Sequence, residues 1–166
     1  IRYLQIRTKD MAGNWSTATT LFTFKYDKTS PTAPVSLKAD NEEKQSPWKN
    51  TPEFKINVEL PDDPSGISKI QYRLGTGSSQ YVEIGTLTGV YAFTVTTTNE
   101  ADVQKNKGQV LSVWLMDGAG NASEQSINTV ELMYDKTPPM INRILYDDSP
   151  KNNLVDEDDQ IKIVFN

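Results

Sequence analysis

One turn sequence occurs twice in the chain, and its spacing constrains the fold more than any other feature. Asp10–Asn14 (DMAGN) recurs as Asp117–Asn121 (DGAGN), at an offset of 117 − 10 = 107 residues. Each copy is followed by the same exit sequence, YDKT, at Tyr26–Thr29 and at Tyr134–Thr137. Self-similarity at a fixed period is the signature of a repeat architecture. The chain therefore reads as roughly one and a half tandem repeats.

The sequence around these turns alternates between apolar and polar residues, with the period of a half-buried β-strand. Pro52–Leu60 (PEFKINVEL) is the clearest case, and no segment shows a convincing helical period. Many short strands separated by turn residues predict an all-β, two-sheet antiparallel sandwich. The predicted strands are Ile1–Asp10, Leu21–Tyr26, Val35–Ala39, Pro52–Leu60, Ile67–Leu74, Tyr81–Ile84, Val90–Thr98, Val110–Met116, Ile127–Tyr134, Ile141–Tyr146 and Ile161–Phe165.

Two proline-containing segments divide the chain. Thr29–Pro34 and Lys136–Pro139 interrupt the strand pattern, because proline donates no backbone hydrogen bond and restricts the residue before it. We predict the closing hairpin of a partial repeat at 1–30, a complete repeat at 31–137 and the opening strands of a further partial repeat at 138–166. The chain starts inside a strand without an initiator methionine, signal peptide or transmembrane run. We therefore expect it to be part of a longer protein.

The composition excludes several classes of function. The chain has neither histidine nor cysteine, which removes disulfides, imidazole and thiolate catalysis, and nearly all zinc or copper sites. With 22 acidic and 17 basic residues the net charge is −5. An acidic chain without a basic stripe is a poor partner for nucleic acid or an anionic membrane. We expect no enzyme activity, no nucleic-acid binding and no direct membrane contact.

Three motifs together resemble a known class of repeat. They are Ser65–Leu74 (SGISKIQYRL), Asp117–Asn121 and Tyr134–Pro139 (YDKTPP). In this order and spacing the chain is similar to the immunoglobulin-like tandem repeats of bacterial surface and secreted proteins. The resemblance implies tandem immunoglobulin-like sandwiches, located outside the bacterial cell. In that family the repeats form stalks that carry an adhesive or enzymatic head, or accessory modules beside secreted glycoside hydrolases.

The function we expect is structural. A stalk or fibre segment would space a functional head from the cell, and its partners would be neighbouring repeats or copies of the same protein. The alternative is a carbohydrate- or protein-binding module of an adhesin or secreted glycoside hydrolase, whose partner would be a glycan or a host or cell-surface protein. A shared fold does not choose between these functions.

Acidic and amide side chains make calcium the expected cofactor, if the chain has one. Ca²⁺ takes six to eight oxygen ligands from carboxylates, amides and carbonyls. The candidate ligands are Asp117 and Asn121 in the turn, Asp135 in the exit, and Asp147 and Asp148 beyond it. An ion bound between Asp135 and the pair Asp147 and Asp148 would stiffen the junction between repeats. The alternative is that these residues form Asx turns and solvated loops.

Three apolar residues define a candidate contact patch. Strand alternation places Trp114, Met116 and Met133 on outward-facing positions, and an exposed tryptophan can bind a protein or stack on a sugar. Trp48, in a polar loop, is a second candidate platform. The alternative is that a loop of the same domain covers the patch. The corresponding positions of the first repeat are all basic: Arg7, Lys9 and Lys25.

The two terminal pieces have apolar faces that neither can bury alone. A lone two-stranded hairpin is marginal in water, and exposed strand edges recruit partners. We therefore expect the opening strands of one copy to dock on the closing hairpin of the next, head to tail, unless further strands of a longer polypeptide cover them. The apolar residues concerned are Phe22, Phe24, Tyr26, Ile161, Ile163 and Phe165.

Overall fold

The computed structural model describes residues 1–87, 89–147, 151, 155, 157 and 159–165. These residues form strands and turns but no helix. They therefore include no helix that could span a membrane. The strands are β1 (Arg2–Ile6), β2 (Thr19–Phe24), β3 (Ser36–Ala39), β4 (Glu53–Leu60), β5 (Ile67–Leu74), β6 (Gln80–Leu87), β7 (Gly89–Thr96), β8 (Gln109–Asp117), β9 (Asn128–Leu132), β10 (Ile141–Asp147) and β11 (Gln160–Phe165).

Two antiparallel sheets share the main core. One has the strand order β3-β4-β7 and the other the order β6-β5-β8-β9. Strand β4 contributes Phe54, Ile56 and Val58, all of them 0% exposed. Strand β8 contributes Leu111 and Val113, also 0% exposed, from the opposite sheet. The alternation of the sequence thus buries one face of each sheet against the other, and the predicted all-β, sandwich-like fold is confirmed.

The register of the central strands keeps these apolar residues in phase. Ile56 on β4 lies opposite Phe93 on β7, and Ile70 on β5 lies opposite Leu115 on β8. A shift of one residue would turn every inward side chain towards solvent, so the buried face determines the register. The side chain of Phe93 is only partly buried and packs against Tyr72, with ring centroids 5.4 Å apart.

Strand β6 is longer than its sequence predicts. The predicted strand is Tyr81–Ile84, whereas the observed strand continues to Leu87. Gly85 has a φ of +64°, and the pairing of β5 with β6 shifts register in this region. Glycine accepts this left-handed conformation without a Cβ clash and is common at β-bulges. The bulge breaks the period of two and hides the end of the strand from a pattern search.

The flanking segments form separate hairpins. Strand β1 pairs only with β2, and β10 only with β11, among the described strands. Phe22 and Phe24 pack edge to face with centroids 4.9 Å apart, yet they remain 58% and 47% exposed. On the other hairpin, Ile161 is 70% and Phe165 57% exposed. Their apolar faces are thus solvated within the single chain, as expected for either piece alone.

The buried face of β4 should carry much of the stability of the central sandwich. Phe54→Ala should lower the free energy of unfolding by about 3–5 kcal/mol, because it removes a fully buried ring and leaves a cavity. Urea unfolding monitored by circular dichroism measures the loss. Val90→Thr, at a 69% exposed position of β7, is the control and should change stability by less than about 0.5 kcal/mol. Similar losses in both variants would contradict the observed strand phase.

Candidate functional site

The carboxylate of Asp117 organises the turn that follows β8. Asp117 is 1% exposed. Its Oδ1 accepts hydrogen bonds from the backbone N–H groups of Ala119 (2.9 Å) and Asn121 (2.7 Å). Its Oδ2 accepts one from Nδ2 of Asn121 at 2.8 Å. Gly120 adopts a φ of +90°, which favours glycine and allows the chain to close around the carboxylate.

Burial and hydrogen bonding act in opposite directions on Asp117. Burial alone would raise the pKa of its carboxyl group, since the charged form loses hydration. The hydrogen bonds from Asn121, Ala119 and Ser65 outweigh burial, and the pKa lies below its ordinary value. A buried anion is therefore maintained at neutral pH at this end of the sandwich.

The same turn forms at Asp10, on the first hairpin. Asn14 donates its backbone N–H to Oδ1 of Asp10 (2.8 Å) and its side-chain Nδ2 to Oδ2 (2.9 Å). These hydrogen bonds lower the pKa of Asp10, which is exposed to solvent. The turn is thus a local property of the DxAGN sequence. Its burial at Asp117 depends on the rest of the sandwich.

A second carboxylate comes from the turn between β4 and β5. Oδ1 of Asp63 accepts hydrogen bonds from the backbone N–H and the hydroxyl group of Ser65, both at 2.9 Å. The Ser65 hydroxyl group also helps to lower the pKa of Asp117. The backbone N–H of Gly118 donates to the carbonyl oxygen of Gly66 at 2.7 Å and joins the two turns. A Cβ at position 118 would lie 2.4 Å from the Ser65 carbonyl oxygen, so only glycine fits there.

The third carboxylate, Asp27, lies on the linker between β2 and β3. Its Oδ1 accepts a hydrogen bond from the backbone N–H of Thr29 at 3.0 Å. The backbone carbonyl oxygen of Asp27 accepts a hydrogen bond from Nδ2 of Asn121 at 3.3 Å. This bond holds the linker against the turn after β8. The other carboxylate oxygen, Oδ2, is buried and has no hydrogen-bond donor in the described part of the chain.

These three segments bring three carboxylates together. One oxygen from each of Asp27, Asp63 and Asp117 lies within 4.8 Å of the other two. Lys25 and Asp27 line one cleft at this end of the sandwich. Among the described residues, Lys25 forms no ion pair within 4.0 Å with any of the three carboxylates. A cluster of oxygen donors without a paired cation is suited to a hard metal ion. We call this group the acidic triad.

The structure brings two of the predicted calcium ligands together. Asp117 and Asn121 do meet, in the turn after β8. Asp135 and Asp147 belong to no group of three acidic side chains among the described residues, so the expected site between them stays a prediction. Oδ1 of Asp135 instead accepts the backbone N–H of Thr137 at 2.8 Å, and Asp147 is exposed on β10. Asp148 lies outside the described residues.

The structure corrects the predicted contact patch. Trp114 is only 2% exposed and Met133 is 0% exposed, while Met116 is partly buried. The guanidinium group of Arg73 lies 5.8 Å from the centroid of the Trp114 ring. Glu124, from the loop between β8 and β9, holds Arg73 at 3.2 Å. The outward face of β8 is thus covered, and the predicted exposure of this patch is wrong.

A second loop covers Met133. The hydroxyl oxygen of Ser46 accepts a hydrogen bond from the backbone N–H of Met133 at 2.9 Å. The backbone N–H of Ser46 donates to the carbonyl oxygen of Glu131 at 2.8 Å, and Nε2 of Gln45 lies 3.2 Å from the Met133 sulfur. The polar loop between β3 and β4 therefore lies across the edge of β9. Met133 is thus covered by a loop of the same domain, which was the alternative to an exposed binding patch.

Comparisons of the chain with protein-family models, curated proteins and solved structures give no match. The resemblance to immunoglobulin-like repeats therefore stays a prediction that depends on the motifs of this chain. The acidic triad and the covered patch stand on geometry alone.

Burial of Trp114 can be tested by fluorescence. Trp114→Phe should remove a blue-shifted component that iodide does not quench, because this indole is shielded from water. Trp15→Phe is the matched change, and it should remove a quenchable component because Trp15 is 52% exposed. If the Trp114 component proved readily quenched, the covering of β8 by Arg73 and the following loop would be contradicted.

The turn at Asp117 should stabilise the fold more than its counterpart at Asp10. Asp117→Ala removes the buried acceptor of the Ala119 and Asn121 N–H groups and should cost about 1–3 kcal/mol. Urea unfolding in the presence of a chelator measures this cost without any metal contribution. Asp10→Ala removes the corresponding hydrogen bonds from Asn14 in an exposed turn, where water replaces them, and should have a much smaller effect. Equal effects would show that burial of the turn is unimportant.

Proposed function

We propose that the chain is a stalk or fibre segment of a long extracellular bacterial surface protein, built from tandem immunoglobulin-like repeats that space a functional head from the cell. One observation carries this proposal: two junction elements recur with the same hydrogen bonds. The DxAGN turns at Asp10 and Asp117 have the same side-chain and backbone bonds to their asparagines. Asp27 and Asp135 likewise each accept the backbone N–H of the threonine two residues later, at 3.0 and 2.8 Å.

A stalk also needs units that are stable without cross-links. Repeat proteins gain stability from the core of each unit and its contacts with neighbours. The central sandwich has its own buried core, and the chain has no cysteine with which to form a disulfide. Both features support a unit that can be repeated along a fibre.

The linker after the first hairpin is attached to the sandwich rather than solvated along its length. Asn121 holds the carbonyl oxygen of Asp27, and Nδ2 of Asn128 donates to the carbonyl oxygen of Pro34 at 3.3 Å. Proline at positions 31 and 34 further restricts the backbone of this segment. A restrained linker favours a spacing role, because a freely jointed array would not hold a head at a distance.

The exposed faces of the flanking hairpins fit the same proposal. In the central sandwich, the sheet containing β8 and β9 is covered by β3, β4 and β7. The hairpin β1–β2 has the same turn as β8–β9 but presents Phe22 and Phe24 to solvent. In a tandem array, the equivalent strands of a neighbouring repeat or copy would cover this face, head to tail.

The alternative function is a carbohydrate- or protein-binding module, and one observation favours it. Trp48 is 46% exposed and lines a shallow cleft with Asn50, Val103 and Asp135. An exposed indole beside polar groups can stack on a sugar ring. Trp114 is buried and offers no such platform. We propose no catalytic activity, because the chain lacks the histidine and cysteine of the common catalytic triads.

Binding measurements distinguish the two functions. For a stalk segment, a glycan array and calorimetric titrations with the glycans of bacterial and host surfaces should show no saturable binding, because a spacer requires no ligand and the cleft beside Trp48 is shallow. Saturable binding that is lost in Trp48→Ala and retained in Trp15→Ala would instead establish the binding module. Trp15 is the control because it is similarly exposed but lies on the first hairpin, between Arg7 and Lys9.

A further inference from the structure

We propose that the acidic triad binds a Ca²⁺ ion, which ties the linker after β2 to the end of the central sandwich. The three ligands come from separate segments: Asp27 from the linker, Asp63 from the β4–β5 turn and Asp117 from the end of β8. The role of the ion in stiffening a junction rests on the proposed stalk function. The ion site itself rests on the geometry below.

An orphaned oxygen is the observation that points to a cation. Oδ2 of Asp27 is buried and has no donor in the described part of the chain. A buried carboxylate oxygen without a hydrogen bond or a counter-charge loses its hydration and gains nothing in return, so such atoms usually have a partner. The neighbouring carboxylates of Asp63 and Asp117 increase this cost by adding negative charge.

The available hydrogen-bond donors do not neutralise the cluster. The hydroxyl group of Ser65 has a single proton, which it donates to Asp63. Asn121 donates to Oδ2 of Asp117 and to the backbone of Asp27, but not to the Asp27 carboxylate. Lys25, in the same cleft, is exposed and forms no ion pair with the described residues. A bound cation supplies the missing positive charge.

The spacing fits calcium. Ca²⁺ binds oxygen at about 2.3–2.6 Å, so two oxygens on opposite sides of one ion can be up to about 5 Å apart. The three carboxylate oxygens of the triad lie within 4.8 Å of one another. The cleft beside them is open, so water and backbone carbonyl oxygens can complete a shell of six to eight ligands.

The same chemistry selects against other ions. The triad contains only oxygen donors, and the chain has no histidine or cysteine to attract zinc or copper. Mg²⁺ requires near-ideal octahedral geometry at about 2.0–2.1 Å and gives up its water reluctantly. Three carboxylates on three independent segments favour the larger ion with the more variable coordination.

Calorimetric titration of the whole chain with CaCl₂, after chelation and desalting, tests the site. We expect one saturable Ca²⁺ site, and a melting temperature that rises with the Ca²⁺ concentration because the ion binds only the folded state. Asp27→Asn and Asp63→Asn remove one charge each but keep an oxygen for Thr29 and Ser65. Each variant should weaken Ca²⁺ binding by about tenfold or more.

Two matched variants control for loss of charge alone. Asp135→Asn alters the other exit aspartate, which has the same bond to its threonine but lies outside the acidic triad. Asp62→Asn alters an exposed neighbour of Asp63. Both should bind Ca²⁺ like the parent chain. Absence of Ca²⁺ binding, equal losses in the control variants, or equal binding of MgCl₂ would each overturn the proposal.

Limited proteolysis tests whether the ion holds the linker. Ca²⁺ should slow cleavage by endoproteinase Lys-C after Lys28, which is exposed beside Asp27, and Asp27→Asn should abolish this protection. Cleavage after Lys136, in the second exit, is an internal control that Ca²⁺ should leave unchanged. If Ca²⁺ binds but both bonds are cleaved at the same rate as without it, the junction role is overturned. Glycan binding would overturn the stalk function without affecting either result.

Discussion

The buried carboxylate of Asp117 is the interaction on which one whole end of the molecule depends. It closes the turn after β8 through Ala119 and Asn121, and this turn starts the loop that reaches Arg73 through Glu124. The same turn is hydrogen-bonded to the β4–β5 turn through the backbone N–H of Gly118. The side-chain amide of Asn121, also in this turn, holds the linker. An anion buried in this way must be fully hydrogen-bonded or neutralised, so the surrounding segments are constrained to approach it.

The sequence predicts the inward faces of the strands because alternation has a direct physical cause. Phe54, Ile56 and Val58 point to one side of β4, and their burial determines the register. Alternation does not show what covers the opposite side. Trp114 and Met133 lie on outward-facing positions and are nevertheless buried. Arg73 and the loop after β8 cover Trp114, and the polar loop between β3 and β4 covers Met133. Loops with no periodic pattern leave no such signal in the sequence.

The residues of the candidate site differ in the same way. Local sequence places some of them, and only tertiary packing places the others. Asp117 and Asn121 were predictable, because a DxAGN turn forms its hydrogen bonds within five residues, as Asp10 shows on an exposed hairpin. Asp63 was not, since only the packing of two turns brings it to Asp117. Asp27 could have been found from the repeat, because it is the counterpart of Asp135, the exit aspartate that the sequence prediction placed at a junction.

The comparison of Asp10 with Asp117 explains why a repeated turn need not be a repeated site. Both carboxylates accept the same asparagine hydrogen bonds, but only Asp117 is buried against a second turn and a linker. The turn contributes one carboxylate, and the junction must contribute the others. Asp27 meets the turn after β8 because Asn121 holds the linker against it. The acidic triad therefore depends on the contact between the linker and the central sandwich, and the DxAGN turn alone does not form it.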